Sequence, residues 1–413
     1  MKKSIICLLS FLSTSFLYAQ NKAETITVKN DKNESEEIEL PEGMLSSTDS
    51  LYLDWISKNY ITPINCEKGD KNPIVSDSIY IDRLQRIPAV IEMPYNDIIR
   101  KFIDQYAIKL RERVSFMLSA NNFYMPIFEE ALEINGLPLE LKYLPVIESA
   151  LNPQATSRQG AVGLWQFMLR TGKAYGLEVN TLIDERRDPI KSTYAAARYL
   201  KDLYDIYHDW NLVLAAYNCG PGNINKAIRR AGGATDFWSI YNFLPKETRG
   251  YVPAFVAANY IMTYYCEHNI SPMSMQMPEG TDTIHIDKVL NLNQVSEVCK
   301  INIDELRALN PEFRKDIIPG NQKTYALRLP NNKVSLFLEK EDSIYKYKNQ
   351  AYNNRRATVQ VTTPKTAEIY HKIKSGETLG GIAAKYKVSI NQIRKLNGIK
   401  GSNIRAGKTI RIQ

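Results

Sequence analysis

One glutamate in an apolar stretch of this sequence has a clear capacity for chemistry. The residues around Glu148 are Leu144, Val146, Ile147, Ala150 and Leu151. A carboxyl group that loses its hydration has a raised pKa, so it can carry a proton near neutral pH and deliver it to a leaving group. Asn152-Pro153 ends the helix soon afterwards, which favours a position at a helix end facing a cleft. A lone glutamate in a helix is more often solvated or ion-paired, so the surrounding motifs must decide.

Three further motifs follow Glu148-Ser149 in the chain. They read Gly-Ala-Val-Gly-Leu-Trp-Gln-Phe at 160–167, Ala-Ala-Tyr-Asn-Cys-Gly-Pro-Gly at 215–222 and Glu-Thr-Arg-Gly-Tyr-Val at 247–252. Their amide and phenol groups are hydrogen-bonding partners for sugar hydroxyls. Other readings remain open: Trp165 and Phe167 could be core residues, and Tyr217 could be a buried ring with a satisfied hydroxyl. Gly220 and Gly222 favour a tight turn over a ligand contact.

This ordered set of motifs resembles the soluble lytic transglycosylases, which share a helical fold similar to goose-type lysozyme. The resemblance covers about 95–270. It implies that Glu148 is the catalytic acid and base. It also implies that Ser149 helps to orient Glu148 and is one of the substrate-binding residues.

The same resemblance implies further substrate-binding residues. Gln166 corresponds to a sugar-binding amide, Tyr217 and Asn218 to residues beside the cleaved bond, and Tyr251 to a groove residue close to the acid. Cys219 departs from the family, which commonly has alanine there. A small thiol fits such a position, but it leaves disulfide formation and oxidation open.

The number of carboxylates bears on the reaction. Ordinary glycoside hydrolysis uses two carboxylates, whereas the motif set offers one at its core. Asp184 and Asp188 are the nearest candidates for a second, and their charged setting indicates ion pairs that brace the fold. The resemblance implies that Glu148 protonates the leaving oxygen while the 2-acetamido group of N-acetylmuramic acid attacks C1. Glu148 then activates the C6 hydroxyl, which closes a 1,6-anhydro ring.

Two alternatives to the lytic transglycosylase remain open from the sequence. One is a hydrolytic muramidase of the same fold, which would differ in the mass of its product. The other is a non-catalytic wall-binding protein. The joint presence of Glu148, Gln166 and Asn218 argues against the second alternative.

The chain is long enough for two or three domains, and its pattern changes along its length. We predict a polar N-terminal region at 20–93, with a flexible tail and a short helix near 51–56. Apolar residues at helical spacing predict a helical transglycosylase domain at 94–275. A repeat then superimposes Leu292 on Leu379 and Asn310 on Asn397 at one constant offset.

The repeat predicts two small modules of strand, helix, helix and strand, at 284–330 and 370–413, joined by a linker at 331–369. The second module contains Lys-Ser-Gly-Glu-Thr-Leu at 374–379 and resembles LysM domains, which bind glycans that contain N-acetylglucosamine. The first has Asn-Leu-Asn-Gln at 291–294 instead, so we expect a degenerate LysM-like module with a spacer role. The predicted fold class is multidomain: an all-α lysozyme-like catalytic domain followed by small α+β modules of LysM type.

The first residues indicate export. Lys2 and Lys3 precede an apolar run that ends at Ala19, which is the layout of a signal peptide at 1–19 cleaved near Ala19. Cys7 lies too early to serve as a lipid-anchoring cysteine, so we expect an exported protein of the periplasm or cell envelope. Its predicted partners are peptidoglycan glycan strands.

Composition excludes other classes of function. The net charge of +8 is spread along the chain and forms no basic stripe, which argues against nucleic-acid binding. No cysteine or histidine spacing matches a metal motif, and we expect no metal and no cofactor.

Four cysteines remain after the predicted cleavage: Cys66, Cys219, Cys266 and Cys299. Pairing all four allows three disulfide patterns.

Overall fold

The computed structural model describes residues 24–29, 34–45, 66, 69, 71–273, 280–352, 370–374, 377–386, 388, 390–399, 404–405 and 407–412. The predicted signal peptide and the predicted helix at 51–56 lie outside these residues. The chain divides into two compact units, Met1–Thr358 and Val359–Gln413. Within the described residues, no helix is long and apolar enough to cross a bilayer.

The centre of the first unit is helical. Its α-helices after the N-terminal segment are α2 Asp77–Arg86, α3 Asp97–Asp104, α4 Arg111–Ile134, α5 Leu144–Ser149, α6 Leu169–Ala174, α7 Pro189–Tyr207, α8 Trp210–Cys219, α9 Pro221–Arg230, α10 Phe237–Ile240, α11 Lys246–Arg249 and α12 Tyr251–Thr263. Helix α12 is buried on nearly every side, as expected for a helix that is apolar all round, and forms the middle of the core. The helical catalytic domain in the predicted fold class is confirmed.

Local sequence explains where the long helices begin. The Asp188 carboxylate accepts hydrogen bonds from the N–H groups of Ile190 and Lys191, and Pro189 occupies the first turn of α7. The Asp209 carboxylate caps α8 in the same way by accepting from the Leu212 N–H. The second cap fixes the start of the helix that carries Ala-Ala-Tyr-Asn-Cys, the first part of the motif at 215–222.

The N-terminal region corrects the prediction of a flexible tail. Strands β1 (Thr25–Lys29) and β2 (Ser35–Glu39) pair antiparallel, and helix α1 (Glu42–Leu45) follows. Ile26, Val28 and Met44 are buried in the same core as the helices. The alternation of buried and exposed residues in β1 spans only five residues, which is too short to stand out in a polar sequence.

Among the described residues one disulfide bond is observed, so none of the three patterns that would pair all four cysteines occurs. Cys66 and Cys266 are bonded, with 5.2 Å between their Cα atoms, and Cys219 and Cys299 are free thiols. The bond therefore ties the N-terminal region to the segment that follows α12. Such a crosslink restricts the unfolded chain and stabilises the native one.

The first module also belongs to the first unit. Strand β3 (Thr281–Ile286) pairs with β6 (Tyr325–Pro330), and β4 (Val289–Asn291) pairs with β5 (Ile317–Pro319), all antiparallel. The helices between these strands are α13 Leu292–Cys299 and α14 Ile303–Leu309. The order of strand, helix, helix and strand follows the predicted pattern, with an extra strand pair.

The predicted linker at 331–369 needs a correction at its start. Three helices follow β6 directly: α15 Asn331–Glu339, α16 Glu341–Lys346 and α17 Asn349–Tyr352. Phe337 and Ile344 are fully buried, and the Gln294 amide donates to backbone carbonyls around Ile344. The polar composition belongs to the exposed faces of helices that pack on the module. The rest of the predicted linker, from residue 353, lies outside the described residues.

Buried charges join the first module to the helical domain. Arg328 on β6 lies 3.1 Å from Asp188 and 3.6 Å from Glu312, and all three side chains are nearly inaccessible to water. Burial and the neighbouring Asp188 carboxylate raise the pKa of Glu312. A backbone bridge between Ile183 and Phe313 completes the contact. The module is therefore built into the helical domain.

The second unit is a separate small module. Strand β7 (Tyr370–Lys372) pairs antiparallel with β8 (Thr409–Arg411), and helices α18 (Leu379–Tyr386) and α19 (Ile390–Asn397) lie between them in the chain. Its own core includes Leu379, Ile382, Ile393 and Ile410. The predicted fold class placed small α+β modules after the catalytic domain, and this part of the prediction is confirmed.

We predict that Arg328→Leu destabilises the helical domain together with the first module. The substitution leaves the Asp188 and Glu312 carboxylates buried without their cation, so the free energy of unfolding should fall by about 3 kcal/mol. Chemical denaturation followed by circular dichroism measures the loss. Arg307→Leu is the matched control, because Arg307 pairs with Asp304 and Asp316 while nearly half exposed, and should cost less than about 1 kcal/mol. If the two variants lost equal free energy of unfolding, the importance of the buried contact would be contradicted.

Candidate active site

Helix α5 brings Glu148 to its last turn and then stops abruptly. Pro145 occupies the first turn, and Ala150 and Leu151 adopt left-handed backbone with φ of 50° and 60°. Non-glycine residues in that region are strained and tend to occur at functional sites. The turn buries Leu144, Val146 and Ile147 and leaves Glu148 only partly accessible.

The environment of Glu148 favours its protonated form. Burial raises the pKa of Glu148 to about 8, and the charge of Glu247 pushes it in the same direction. The Tyr251 hydroxyl donates a hydrogen bond to the Glu148 Oε1 atom and opposes part of this rise. At neutral pH the carboxyl group therefore holds a proton that it can donate, with its orientation set by a buried phenol.

The structure buries the side chain of Ser149. Ser149 is 1% exposed, and its hydroxyl lies 2.9 Å from the Leu164 carbonyl and 3.1 Å from the Pro145 carbonyl. The substrate contact predicted for Ser149 does not fit this position. Its hydroxyl instead fastens the last turn of α5 to the Gly-Leu-Trp-Gln motif, so Ser149 supports Glu148 indirectly.

The Gly-Leu-Trp-Gln motif forms a tight loop beside α5. At Gly163 a Cβ atom would lie 1.8 Å from the Arg186 carbonyl oxygen, so only glycine fits. Trp165 is fully buried and donates from Nε1 to the Thr193 hydroxyl at 2.8 Å, which settles the open question in favour of a core residue. Gln166 is partly exposed, with φ of 47°, and its amide donates to the Gly163 carbonyl at 2.8 Å. Its sugar contact stays a prediction.

The end of α8 contributes Tyr217 and Asn218 to the same place. The Tyr217 hydroxyl donates to the Trp165 carbonyl at 2.7 Å, which links α8 to the Gly-Leu-Trp-Gln loop. Burial and the charge of Glu148 raise the pKa of Tyr217, so the ring lies within electrostatic reach of the acid. The Asn218 carbonyl oxygen accepts from the Thr248 hydroxyl at 2.8 Å. Distant motifs of the sequence therefore meet around Glu148.

Glu247 is a site residue that the sequence reasoning missed. It is half-buried on α11, its charge acts on Glu148, and its carboxyl group lies near the Asn218 side chain. Burial raises the pKa of Glu247, and the charges of Glu39 and Glu42 raise it further. Its place in the quoted Glu-Thr-Arg motif was the available signal.

The two aspartates considered as spare carboxylates have structural partners, as their charged setting indicated. Asp184 forms a buried ion pair with Arg186 at 2.8 Å. Asp188 caps α7 and pairs with Arg328. Cys219 is half-buried beside the site, and burial raises the pKa of its thiol. Among the residues that the structure describes, no cluster of three or more His, Cys, Asp or Glu side chains could hold a metal.

Comparison with known families agrees with this arrangement. The transglycosylase SLT domain matches residues 125–239. The LysM-like domain of lytic transglycosylase MltD matches 280–346, and the LysM domain matches 371–413. In its domains and their order the chain is similar to lytic transglycosylases. It is accordingly a lyase that acts on peptidoglycan.

Individual relatives of this lytic transglycosylase include the membrane-bound lytic murein transglycosylase D of Escherichia coli K12. The two are 29% identical over 329 residues, which is 78% of this chain and 70% of the relative. A membrane-bound lytic murein transglycosylase F of Maricaulis maris is 36% identical over 28% of this chain and 26% of its own length. The crystal structure of the 70 kDa soluble lytic transglycosylase of Escherichia coli matches 36% of this chain and 26% of its own, with 26% identity and a TM-score of 0.31.

We predict that Tyr251→Phe moves the pH dependence of cleavage to higher pH and slows the reaction. The Tyr251 hydrogen bond lowers the pKa of Glu148, so its loss should raise that pKa above its wild-type value of about 8. An acid must be protonated to act, so activity should persist to higher pH, while kcat falls about tenfold because the carboxyl group is less well oriented. Rates on soluble glycan strands across pH 6 to 10 measure both effects. If the activity of the variant instead declined at a lower pH than that of the wild type, this role of Tyr251 would be contradicted.

Proposed function

We propose that this lytic transglycosylase uses Glu148 first as acid and then as base, and releases products that end in 1,6-anhydro-N-acetylmuramic acid. The observation that carries the proposal is one carboxyl group whose burial keeps it protonated at neutral pH. The other carboxylates considered from the sequence, Asp184 and Asp188, are held in ion pairs. A single residue that serves twice suits a reaction in which the substrate supplies the nucleophile.

In the first step Glu148 donates its proton to the glycosidic oxygen between N-acetylmuramic acid and N-acetylglucosamine. The acetamido oxygen of the muramic residue attacks C1 as the C1–O bond breaks, and the N-acetylglucosamine end leaves with the proton. The Tyr251 hydroxyl, which points at the Glu148 carboxyl group, stabilises the carboxylate that remains.

In the second step the Glu148 carboxylate takes the proton of the C6 hydroxyl on the same sugar. The C6 oxygen attacks C1, the bond from C1 to the acetamido oxygen breaks, and Glu148 is protonated again. No water is consumed. The phenol and amide groups of Tyr217, Asn218 and Gln166 are the proposed contacts for the sugars on either side of the bond.

We predict that Glu148→Gln abolishes digestion of cell wall. The amide keeps the size of the side chain but removes the titrating proton, and acid–base help is worth about a hundred- to ten-thousand-fold, with more expected where one residue serves twice. Wild-type products should resist borohydride reduction and weigh one water less than hydrolysis products, by mass spectrometry. Reducible products would instead favour a hydrolase, with Glu247 as the nearby second carboxylate. An active, folded Glu148→Gln protein would remove Glu148 from the mechanism.

The same variant should gain stability at neutral pH. Below the ordinary pKa of 4.5 the carboxyl group is protonated in both states. Between 4.5 and about 8 the unfolded chain releases this proton while the folded chain retains it, so the wild type loses stability as pH rises through this window. Glu148→Gln avoids that loss and should melt at a higher temperature at pH 7 while matching the wild type at pH 4.

We further propose that the module at 370–413 holds the enzyme on the wall. Within it the Glu377 carboxylate lies 2.6 Å from the His371 Nε2 atom and accepts from the Lys374 N–H at 2.7 Å. The match of residues 371–413 to the LysM domain supports the proposal. The predicted leader would place the protein in the envelope, where the wall glycans occur.

We predict that deletion of 364–413 weakens binding to insoluble wall and leaves cleavage of short soluble glycans nearly unchanged. The second unit has its own hydrophobic core, so we expect the first unit to fold without it. Pull-down on purified wall and turnover of soluble strands are measured side by side. Loss of both activities in a folded truncated protein would contradict the separation of the two roles.

A further inference from the structure

The short helix α1 touches the backbone that carries Glu148. A Cβ atom at Gly43 would lie 2.2 Å from the Glu148 carbonyl carbon and oxygen, and 2.2 Å from the Ile147 carbonyl oxygen. Ordinary contacts begin at 3.4 Å. The Gly43 backbone is helical, so alanine could adopt its conformation, and the need for glycine is one of space alone.

A second close contact lies on the other side of the acid. A Cβ atom at Gly250 would lie 2.6 Å from the Glu39 carbonyl oxygen, at the end of β2. The neighbouring Arg249 guanidinium forms a largely buried ion pair with Glu36 on the same strand. Strand β2 therefore contacts the stretch of chain that runs from Glu247 to Tyr251.

We propose that residues 34–45 are a positioning element of the active site. They contact both the end of α5 and the turn between α11 and α12, and so hold Glu148 and Tyr251 in their hydrogen-bonded arrangement. The inference rests on the proposed role of Glu148. These residues precede the stretch that matches the transglycosylase domain at 125–239, so that domain alone does not contain the element.

The element is itself firmly held. The Arg113 guanidinium donates to the Met44 carbonyl, and Glu42 accepts from the Arg158 N–H at 3.2 Å. Leu40 and Met44 are buried in the helical core. An added methyl group at Gly43 must therefore displace the end of α5, because the element cannot easily move away.

The test uses the full chain with Gly43→Ala. We expect kcat on soluble glycan strands to fall about 100-fold, since a displacement of about 1 Å at a reacting group can have that effect. KM should stay within about twofold, because Gln166 and Asn218 are untouched. Thr27→Ala, an exposed side chain in β1, is the matched control and should behave as wild type. A wild-type kcat in Gly43→Ala would overturn the proposal.

Glu36→Ala covers the case in which Gly43→Ala does not fold. It removes only the ion pair with Arg249, so it should lower kcat several-fold with KM unchanged; an unchanged kcat overturns the proposal. Glu148→Gln is assayed in parallel. If Glu148→Gln is inactive and both element variants are fully active, the positioning role alone fails. If Glu148→Gln is active, the proposed function fails.

Discussion

The exclusion of water from one carboxyl group is the constraint on which the rest of the site depends. An exposed glutamate would be ionised at neutral pH and could not donate a proton. Glu148 keeps its proton because α5 buries the apolar residues on either side of it and stops directly after it. The Tyr251 phenol donates a hydrogen bond to the buried carboxyl group and adds no charge. The bond orients the carboxyl group, which stays neutral.

Maintaining such a carboxyl group requires support from several parts of the chain. Ser149 and Tyr217 both bond to carbonyls of the Gly-Leu-Trp-Gln loop, which locks α5 and α8 onto it. Gly163 lets that loop approach the backbone at Arg186. The run from Asp184 to Asp188 is anchored in turn by Arg328 of the first module. The contacts thus extend from Glu148 to the first module, for which the missing Ser-Gly-Glu-Thr loop suggested a spacer role.

Parts of this arrangement could be predicted from sequence because they depend on local periodicity. Helical spacing of apolar residues predicted the helical domain, and the constant repeat predicted two modules of strand, helix, helix and strand. Motif order brought Glu148, Tyr217, Asn218 and Tyr251 to one site. These features depend on residues that are close together in the sequence or on the order of motifs along it.

The remainder depends on tertiary contacts that no local pattern records. The strand pair β1–β2 is short and polar on one face, so its packing against α3 and α11 was not visible. The direction of the Ser149 hydroxyl depends on its contacts with the Pro145 and Leu164 carbonyls. The pairing of Cys66 with Cys266 joins residues 200 positions apart. Glu247 became a candidate only when its charge was found to act on Glu148.

The most direct measurement of the central claim is a carbon-13 NMR titration of the glutamate side-chain carboxyl carbons in the full chain. The Glu148 signal is assigned by its disappearance in Glu148→Gln. The account predicts that this carbon titrates with a midpoint near pH 8, several units above the ordinary glutamate value of 4.5. A midpoint near 4.5 would mean that Glu148 is ionised at neutral pH, and would contradict its role as the proton donor.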